Sequence, residues 1–273
     1  MKRTVFSLLA AFALCVSAAA VGPAVSCPSA LLMEKQTGTV LFAQDEHTPR
    51  EPASVTKIMT LLLVMEAIDS GALSYDDVVT GSAHAAGMGG SQIWLKENEQ
   101  MTVRDLLKAV CIVSGNDAAV TIAEYVGQAL IDANGGGGDA VTAFCDAMNA
   151  KAAELGCVDT VYRNPHGLDD GEWTGDQHSC AADQAKVVQC AMLNELFRTI
   201  VAGGDATIPV DRAGEDIDIA LESTDGFLDI YEFACGVKTG FTRAAGRCLV
   251  SAAERNGRTV IAVTLNDPDD WND

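Results

Sequence analysis

Apolar and polar residues follow changing rhythms along this 273-residue chain, and each change falls at a recognisable break. Two short apolar runs in SALLMEKQTGTVLFAQD flank Thr37-Gly38, the pattern of a β-hairpin. Pro49 and Pro52 then interrupt the chain before a helix expected over residues 54–69. Its apolar positions Ile58, Leu61, Leu62, Met65 and Ile68 recur at helical spacing and nearly encircle the axis. A helix apolar on most sides belongs at the centre of a core.

The middle of the chain keeps the helical rhythm. TVRDLLKAVCIVSGNDAAVTIAEYVGQAL holds two helical runs parted by Ser114-Gly115-Asn116, and DAVTAFCDAMNAKAAELG predicts another helix, ended by Gly156. NGGGGD at 134–139 is a loop and not a domain linker, because the helical pattern resumes at once. After the long loop TVYRNPHGLDDGEWTGDQHSC comes a helix expected over 181–196. Strand rhythm returns only in FACGVKTG, GRCLVSAAER and RTVIAVTLN, joined by turns at 241–245 and Asn256-Gly257. A hairpin first, helices between and three strands last predict an α/β chain of the α+β type. One antiparallel sheet would form from N- and C-terminal strands, with an all-helical subdomain inserted. No internal repeat is visible. Asp267-Pro268-Asp269 resembles the cap of a further helix, so the expectation is a catalytic domain over 27–273 that is truncated before its last helix.

Composition changes this picture little: 48% hydrophobic and 21% charged residues are ordinary for a globular chain. The charge of −20 matters more. Phosphate binding needs clustered lysine and arginine, which are absent, so nucleic acid is excluded as a partner and a strongly anionic membrane surface is disfavoured. At the N-terminus, Lys2 and Arg3 precede an apolar run from Val5 to Val16 and the small residues Ala18-Ala19-Ala20. That is the form of an export signal over 1–26, cleaved near 20–26, although the uncharged stretch from Thr4 to Cys27 is also long enough for an uncleaved anchor.

Removing Cys15 with the signal leaves eight cysteines, which allow 105 pairings that spacing alone does not choose among. Cys111, inside LLKAVCIV, fits a buried free thiol as well as a bridge. No metal site is expected: CxxC and HExxH are missing, and His47, His84, His166 and His178 lack ligand spacing.

The candidate chemistry begins at Ser54 and Lys57. Residues i and i+3 share a helix face, so a neutral lysine amine there is placed to take the proton of a serine hydroxyl. A plainer account has Ser54 capping the helix and Lys57 reaching to water. Alone the pair is a weak signal, but Ser114-Gly115-Asn116 follows at a break between helices, and Lys238-Thr239-Gly240 lies on a strand before a hairpin turn. Three such elements in this order are similar to the active-site serine penicillin-recognising enzymes.

More closely, the chain resembles the low-molecular-mass penicillin-binding proteins, the serine D-Ala-D-Ala carboxypeptidases. TGTVLFAQ, PASVTKIMTLLLVMEA, GMGGSQIWL, DLLKAVCIVSGNDAAVTIAE, RNPHGLDD and GVKTGFTRAAGRCLVSAAERNGR all carry the likeness, from about Ser29 to the end. The resemblance implies a β-lactamase/transpeptidase-like fold, a site that works without metal or organic cofactor, and a role for each matching residue. Ser54 would be the nucleophile and Lys57 its base, with a pKa lowered by burial and by a second cation such as Lys238. Ser114 would relay the proton to the leaving amine, and Asn116 would hold the peptide and contact Lys57. Lys238 and Thr239 would bind the terminal carboxylate, Gly240 would let the strand approach the ligand, and the N–H groups of Phe241 and Ser54 would form the oxyanion hole.

The implied partners are peptidoglycan stem peptides ending in D-Ala-D-Ala and β-lactams as covalent inhibitors. The implied place is outside the cytoplasm, at the cell wall or the outer face of the membrane, with any membrane attachment outside this chain. Phe241 departs from the smaller or polar residue usual there. ALESTDGFLDIYEFACG only loosely echoes the usual asparagine-containing run and is given no catalytic role, and His166 is read as a loop-structuring residue. A class A β-lactamase is disfavoured by the lack of an ExxLN segment between Asn116 and Lys238. A D,D-endopeptidase, or a penicillin-acylated sensor or wall-binding module, would share the same motifs.

Overall fold

The computed structural model describes residues 22–169 and 176–273; the stretch read as an export signal lies outside them up to residue 21. Strands β1 (Ser29–Glu34) and β2 (Thr39–Gln44) form the expected hairpin. Strands β7 (Ala234–Thr242), β8 (Gly246–Arg255) and β9 (Arg258–Asp267) form the expected C-terminal set. They join as one antiparallel sheet in the order β2-β1-β9-β8-β7, with β1 pairing along β9 from Ser29↔Leu265 to Glu34↔Val260. The two chain ends therefore meet in the middle of the sheet. Strand β7, at the far edge, faces the helices.

Helix α1 (Lys57–Asp69) is buried from Lys57 through Leu62 and again at Val64 and Met65, as an all-round apolar pattern requires. Around it stand α3 (Val103–Ile112), α4 (Asn116–Asn134), α5 (Ala140–Glu154) and α6 (Ala181–Ala191), with the short α2 (Ala83–Ala86) and α7 (Glu195–Val201). Each expected helix is present, with one division. The run expected over 181–196 ends at Ala191, and Asn194 caps a new helix by accepting from the Phe197 N–H at 2.8 Å.

The insertion is not wholly helical. It carries a second antiparallel sheet of β3 (Val78–Thr80), β4 (Gln100–Thr102), β5 (Ala206–Arg212) and β6 (Glu215–Leu221). Pro209 disguises β5, since proline lacks the ladder donor. It is tolerated because β5 meets β4 only at Gln100↔Asp211, which leaves Pro209 on an open edge. The eight described cysteines are all free thiols, six of them buried, and Cys111 packs as a small apolar group. No described helix is long and apolar enough to cross a membrane.

Candidate active site

Ser54 does not cap α1. It sits in a 3-10 turn, Ala53–Thr56, that leads into the helix, and neither the turn nor α1 has a side-chain cap. The turn is wedged between two backbones. On one side β7 passes so closely that a Cβ at Gly240 would stand 3.0 Å from the Ser54 nitrogen. On the other, a Cβ at Gly167 would fall 1.8 Å from the Ala53 carbonyl oxygen, so the RNPHGLDD loop is pressed against the serine from below. Ala53 takes φ +47°, a left-handed conformation that costs an alanine roughly 1–3 kcal/mol and persists only where its surroundings enforce it.

Lys57 does not reach water: it is 0% exposed. Its Nζ stands 2.9 Å from Ser54 Oγ, 2.7 Å from Asn116 Oδ1 and 2.7 Å from the His166 carbonyl oxygen. The Asn116 amide is fixed by its own Nδ2, which donates to the Gly89 carbonyl at 2.7 Å, so its oxygen must be the atom facing Lys57. Two of the three partners are therefore pure acceptors. A neutral amine has two N–H donors, which these two consume, and its lone pair is left for the Ser54 hydroxyl. Burial drives the Lys57 pKa well below the ordinary lysine value, the Lys238 charge lowers it further, and the Asp117 carboxylate partly opposes both.

The break between α3 and α4 places three residues. Ser114 is held at φ +61° with its buried Oγ lacking a hydrogen-bond partner among the described residues. Asn116 opens α4 and donates its backbone N–H to the Ser91 carbonyl at 2.7 Å. Asp117, not among the residues expected at the site, is fully buried and accepts from the N–H groups of Ile93, Leu95 and Ala118. It fastens the segment bearing Ser91 to the head of α4, and Ser91 lines the cleft. The Asp next to Asn in SGND was the available signal.

Lys238 is 1% exposed, on the face of β7 turned toward the helices, and its Nζ donates to the Thr239 carbonyl at 3.0 Å. Burial lowers its pKa to about 8, while Cys111 and Asp225 act in the opposite sense. Burial thus displaces both lysines downward, and the Lys238 charge adds to the effect on Lys57.

Thr224 belongs to the segment given no role from sequence, yet its Oγ1 lies 2.9 Å from Thr239 Oγ1 and its N–H donates to the Ile112 carbonyl at 3.1 Å. It ties β7 to the end of α3, two residues before Ser114. No motif spacing announces it; only its nearness to β7 in three dimensions does.

These residues surround a cleft of about 380 Å³ lined by Ser54, Ser114, Thr239, Gly240 and Phe241 among others. Lys57, Asn116 and Lys238 lie behind that wall, so all eight expected site residues converge. A smaller, more apolar hollow of about 270 Å³ lies over the sheet beside Leu249 and Ala262, and the serine does not line it. His166 is buried, with Nδ1 accepting from the Leu168 N–H at 3.1 Å, and burial lowers its pKa to about 3, followed by the charges of Lys57 and His84. It stays neutral and shapes its loop, while its carbonyl holds Lys57.

Buried lysine, serine hydroxyl and a second buried cation, gathered between an antiparallel sheet and a helical layer, define a serine–lysine site. Comparison with known proteins supplies the family. The model of the Peptidase S11 family, D-alanyl-D-alanine carboxypeptidase, matches residues 16–269, and the chain belongs to that family.

The D-alanyl-D-alanine carboxypeptidase DacF of Bacillus subtilis is 37% identical over 237 residues, 87% of this chain and 56% of that protein. DacD of Salmonella typhimurium is 33% identical over 283 residues, 97% of this chain and 66% of that protein. The chain thus spans less than two thirds of these relatives. Among solved structures, the D-alanyl-D-alanine carboxypeptidase DacD of Francisella tularensis superposes with a TM-score of 0.79 at 28% identity, covering 91% of this chain and 68% of that one. The Streptomyces K15 DD-transpeptidase gives 0.80 at 31% identity, covering 90% and 91%. The fold is that of these DD-peptidases, the β-lactamase/transpeptidase-like fold.

Proposed function

We propose that the protein is a serine D,D-carboxypeptidase, with residues 27–273 as its catalytic domain, that removes the terminal D-alanine from peptidoglycan pentapeptide stems. The observation that carries this reading is the Lys57 amine, wholly buried and 2.9 Å from the Ser54 hydroxyl, with both of its remaining N–H donors consumed by acceptors. Ser54 Oγ attacks the carbonyl of the D-Ala-D-Ala bond as its proton passes to the Lys57 lone pair.

The negative charge that develops on the carbonyl oxygen is met by the N–H groups of Ser54 and Phe241, which Gly240 allows to lie close together. Each such donor is worth on the order of 3 kcal/mol in comparable sites. The unpartnered Ser114 hydroxyl relays to the amine of the departing D-alanine the proton that Lys57 took from Ser54, which leaves Lys57 neutral again. The D-alanine carboxylate sits at Thr239 with the Lys238 charge buried behind it. Water, activated by the same lysine, then cleaves the ester and restores Ser54.

Substrates of this class lie outside the cytoplasm, and the export signal read at 1–26 supports the same reading, of a protein acting at the cell wall or the outer face of the cytoplasmic membrane. Trimming would limit wall cross-linking by removing its pentapeptide donor, and β-lactams would acylate Ser54 as substrate mimics. The deciding experiment measures D-alanine released from a peptide ending in Lys-D-Ala-D-Ala, with Ser54→Ala as control, alongside intact mass after penicillin treatment. Labelling of Ser54 without D-alanine release would favour a sensor, and an adduct elsewhere would refute the site.

A further inference from the structure

Beyond the serine, the cleft wall holds one exposed cation among the described residues. Arg247 lines the cleft together with Phe241, Asp270 and Trp271. Its guanidinium makes no hydrogen bond to any described residue; its nearest ionic partner is Asp270, with Nε 3.6 Å from Oδ1, beyond hydrogen-bonding distance. Lys57 and Lys238, by contrast, are sealed behind the wall. In a chain of charge −20, Arg247 sets a fork of donors without hydrogen bonds at the mouth of the binding cleft. Two aromatic side chains accompany it, Phe241 at 64% exposed and Trp271 at 40%.

Strand pairing shows which end of a bound peptide this group would meet. On the function proposed above, on which the present inference rests, the terminal carboxylate lies at Lys238-Thr239 and the scissile carbonyl at the N–H of Phe241. The acyl side of the substrate must then continue past Phe241 toward Thr242. Arg247 is the direct cross-strand partner of Phe241, and Thr242 faces Gly246. Directly paired residues project to the same face with Cβ atoms about 5 Å apart, so Arg247 and Phe241 stand side by side where the acyl portion leaves the cleft. Gly246 adds no side chain to block that exit.

We infer that Arg247, with Phe241 and Trp271, forms an acyl-side subsite that selects stem peptides bearing a carboxylate on the residue before D-Ala-D-Ala. The aromatic rings cover the aliphatic part of a long side chain, and the guanidinium pairs with the carboxylate at its end. A diamino diacid has that form, whereas lysine in the same position does not.

The test uses two peptides that differ by one carboxylate: Nα-acetyl-X-D-Ala-D-Ala with X either Nε-acetyl-lysine or meso-diaminopimelate acetylated on its side-chain amine. The readout is the ratio of kcat/KM for the acidic peptide over the neutral one. Wild type should favour the acidic peptide, with the preference falling as salt rises; Arg247→Gln should lower the ratio roughly threefold to fivefold, and Arg247→Lys should keep part of it. A ratio unchanged within about twofold by Arg247→Gln would overturn the subsite on that exposed-pair scale. Acylation of Ser54 by carbenicillin against benzylpenicillin, which also differ by a side-chain carboxylate, gives the same ratio without peptide turnover. If neither peptide releases D-alanine, the proposed function fails and the penicillin ratio alone decides the subsite.

Discussion

The Lys57 Nζ lies 2.7 Å from Asn116 Oδ1, an oxygen whose orientation is fixed from behind by the Gly89 carbonyl. Together with the His166 carbonyl, this contact spends both donors of a neutral lysine and leaves its lone pair for Ser54. Lys57→Met should therefore abolish the base while keeping side-chain volume. Its kcat/KM on the D-Ala-D-Ala peptide should fall by about 10²–10⁴. The two stranded acceptors should also lower stability by about 1–3 kcal/mol each, partly offset by removal of a buried amine. Steady-state kinetics and denaturant unfolding measure the two effects separately. Retention of near wild-type kcat/KM would rule out Lys57 as the base.

The second lysine predicts an alkaline limit. Activity needs Lys57 neutral and Lys238 charged, so the pH profile of kcat/KM should be bell-shaped, with an acid limb from Lys57 and an alkaline limb near the Lys238 pKa of about 8. Lys238→Arg, which does not titrate in this range, should remove the alkaline limb even where it lowers overall efficiency. An alkaline limb that survives in Lys238→Arg would assign it to another group.

The same burial has a cost in stability, with a definite sign. Between about 8 and the unfolded value near 10.4, the unfolded chain holds a proton on this lysine that the folded chain has lost, so stability rises with pH across that window. Below it the folded state carries a buried ammonium whose penalty is on the order of 3 kcal/mol for a downward shift of this size. Lys238→Met should flatten the rise between pH 8 and 10 and raise Tm at pH 7. Urea denaturation at several pH values tests both, and an equal slope in the variant would refute the linkage.

Much of this site was legible from spacing because catalysis here depends on local order. Ser54 and Lys57 share a turn, Ser114 and Asn116 share a helix break, and Lys238 through Phe241 follow one strand. The terminal strands were equally plain, since they read as short apolar runs between turns; β8, covered on both faces, is buried continuously from Cys248 to Ala252. What escaped was cooperative. Strands β5 and β6 were hidden by Pro209 and a run of acidic residues whose pattern makes sense only beside β4. Thr224 and Asp117 act through partners more than ten residues away, which no local window contains.

His166 separates a base from a scaffold. With a pKa of about 3 it is neutral throughout the working range, so it has no proton equilibrium to contribute near neutrality. His166→Asn should lower Tm, because Nδ1 no longer accepts from the Leu168 N–H, and should reduce kcat through the displaced carbonyl beneath Lys57. The shape and midpoints of the pH profile should not move. A shifted acid limb would make His166 a participant in proton transfer.

The sharpest structural prediction concerns Gly167. Its φ of +90° and its contact with Ala53 leave no space for a side chain: an added Cβ would lie 1.8 Å from one backbone oxygen and 2.9 Å from Thr56 Oγ1. Neither is the far end of a flexible side chain, so the loop or the serine turn must move. Gly167→Ala should cost about 3 kcal/mol or more through strain and overpacking, and should slow penicillin acylation of Ser54 by more than the stability loss explains. Gly136→Ala, in a loop where an added Cβ meets nothing within 4 Å, is the matched control and should change stability by no more than about 0.5 kcal/mol. Acylation rates measured well below each variant's Tm separate the two effects. Normal acylation in a folded Gly167→Ala protein would show that the RNPHGLDD loop does not hold Ser54 in place.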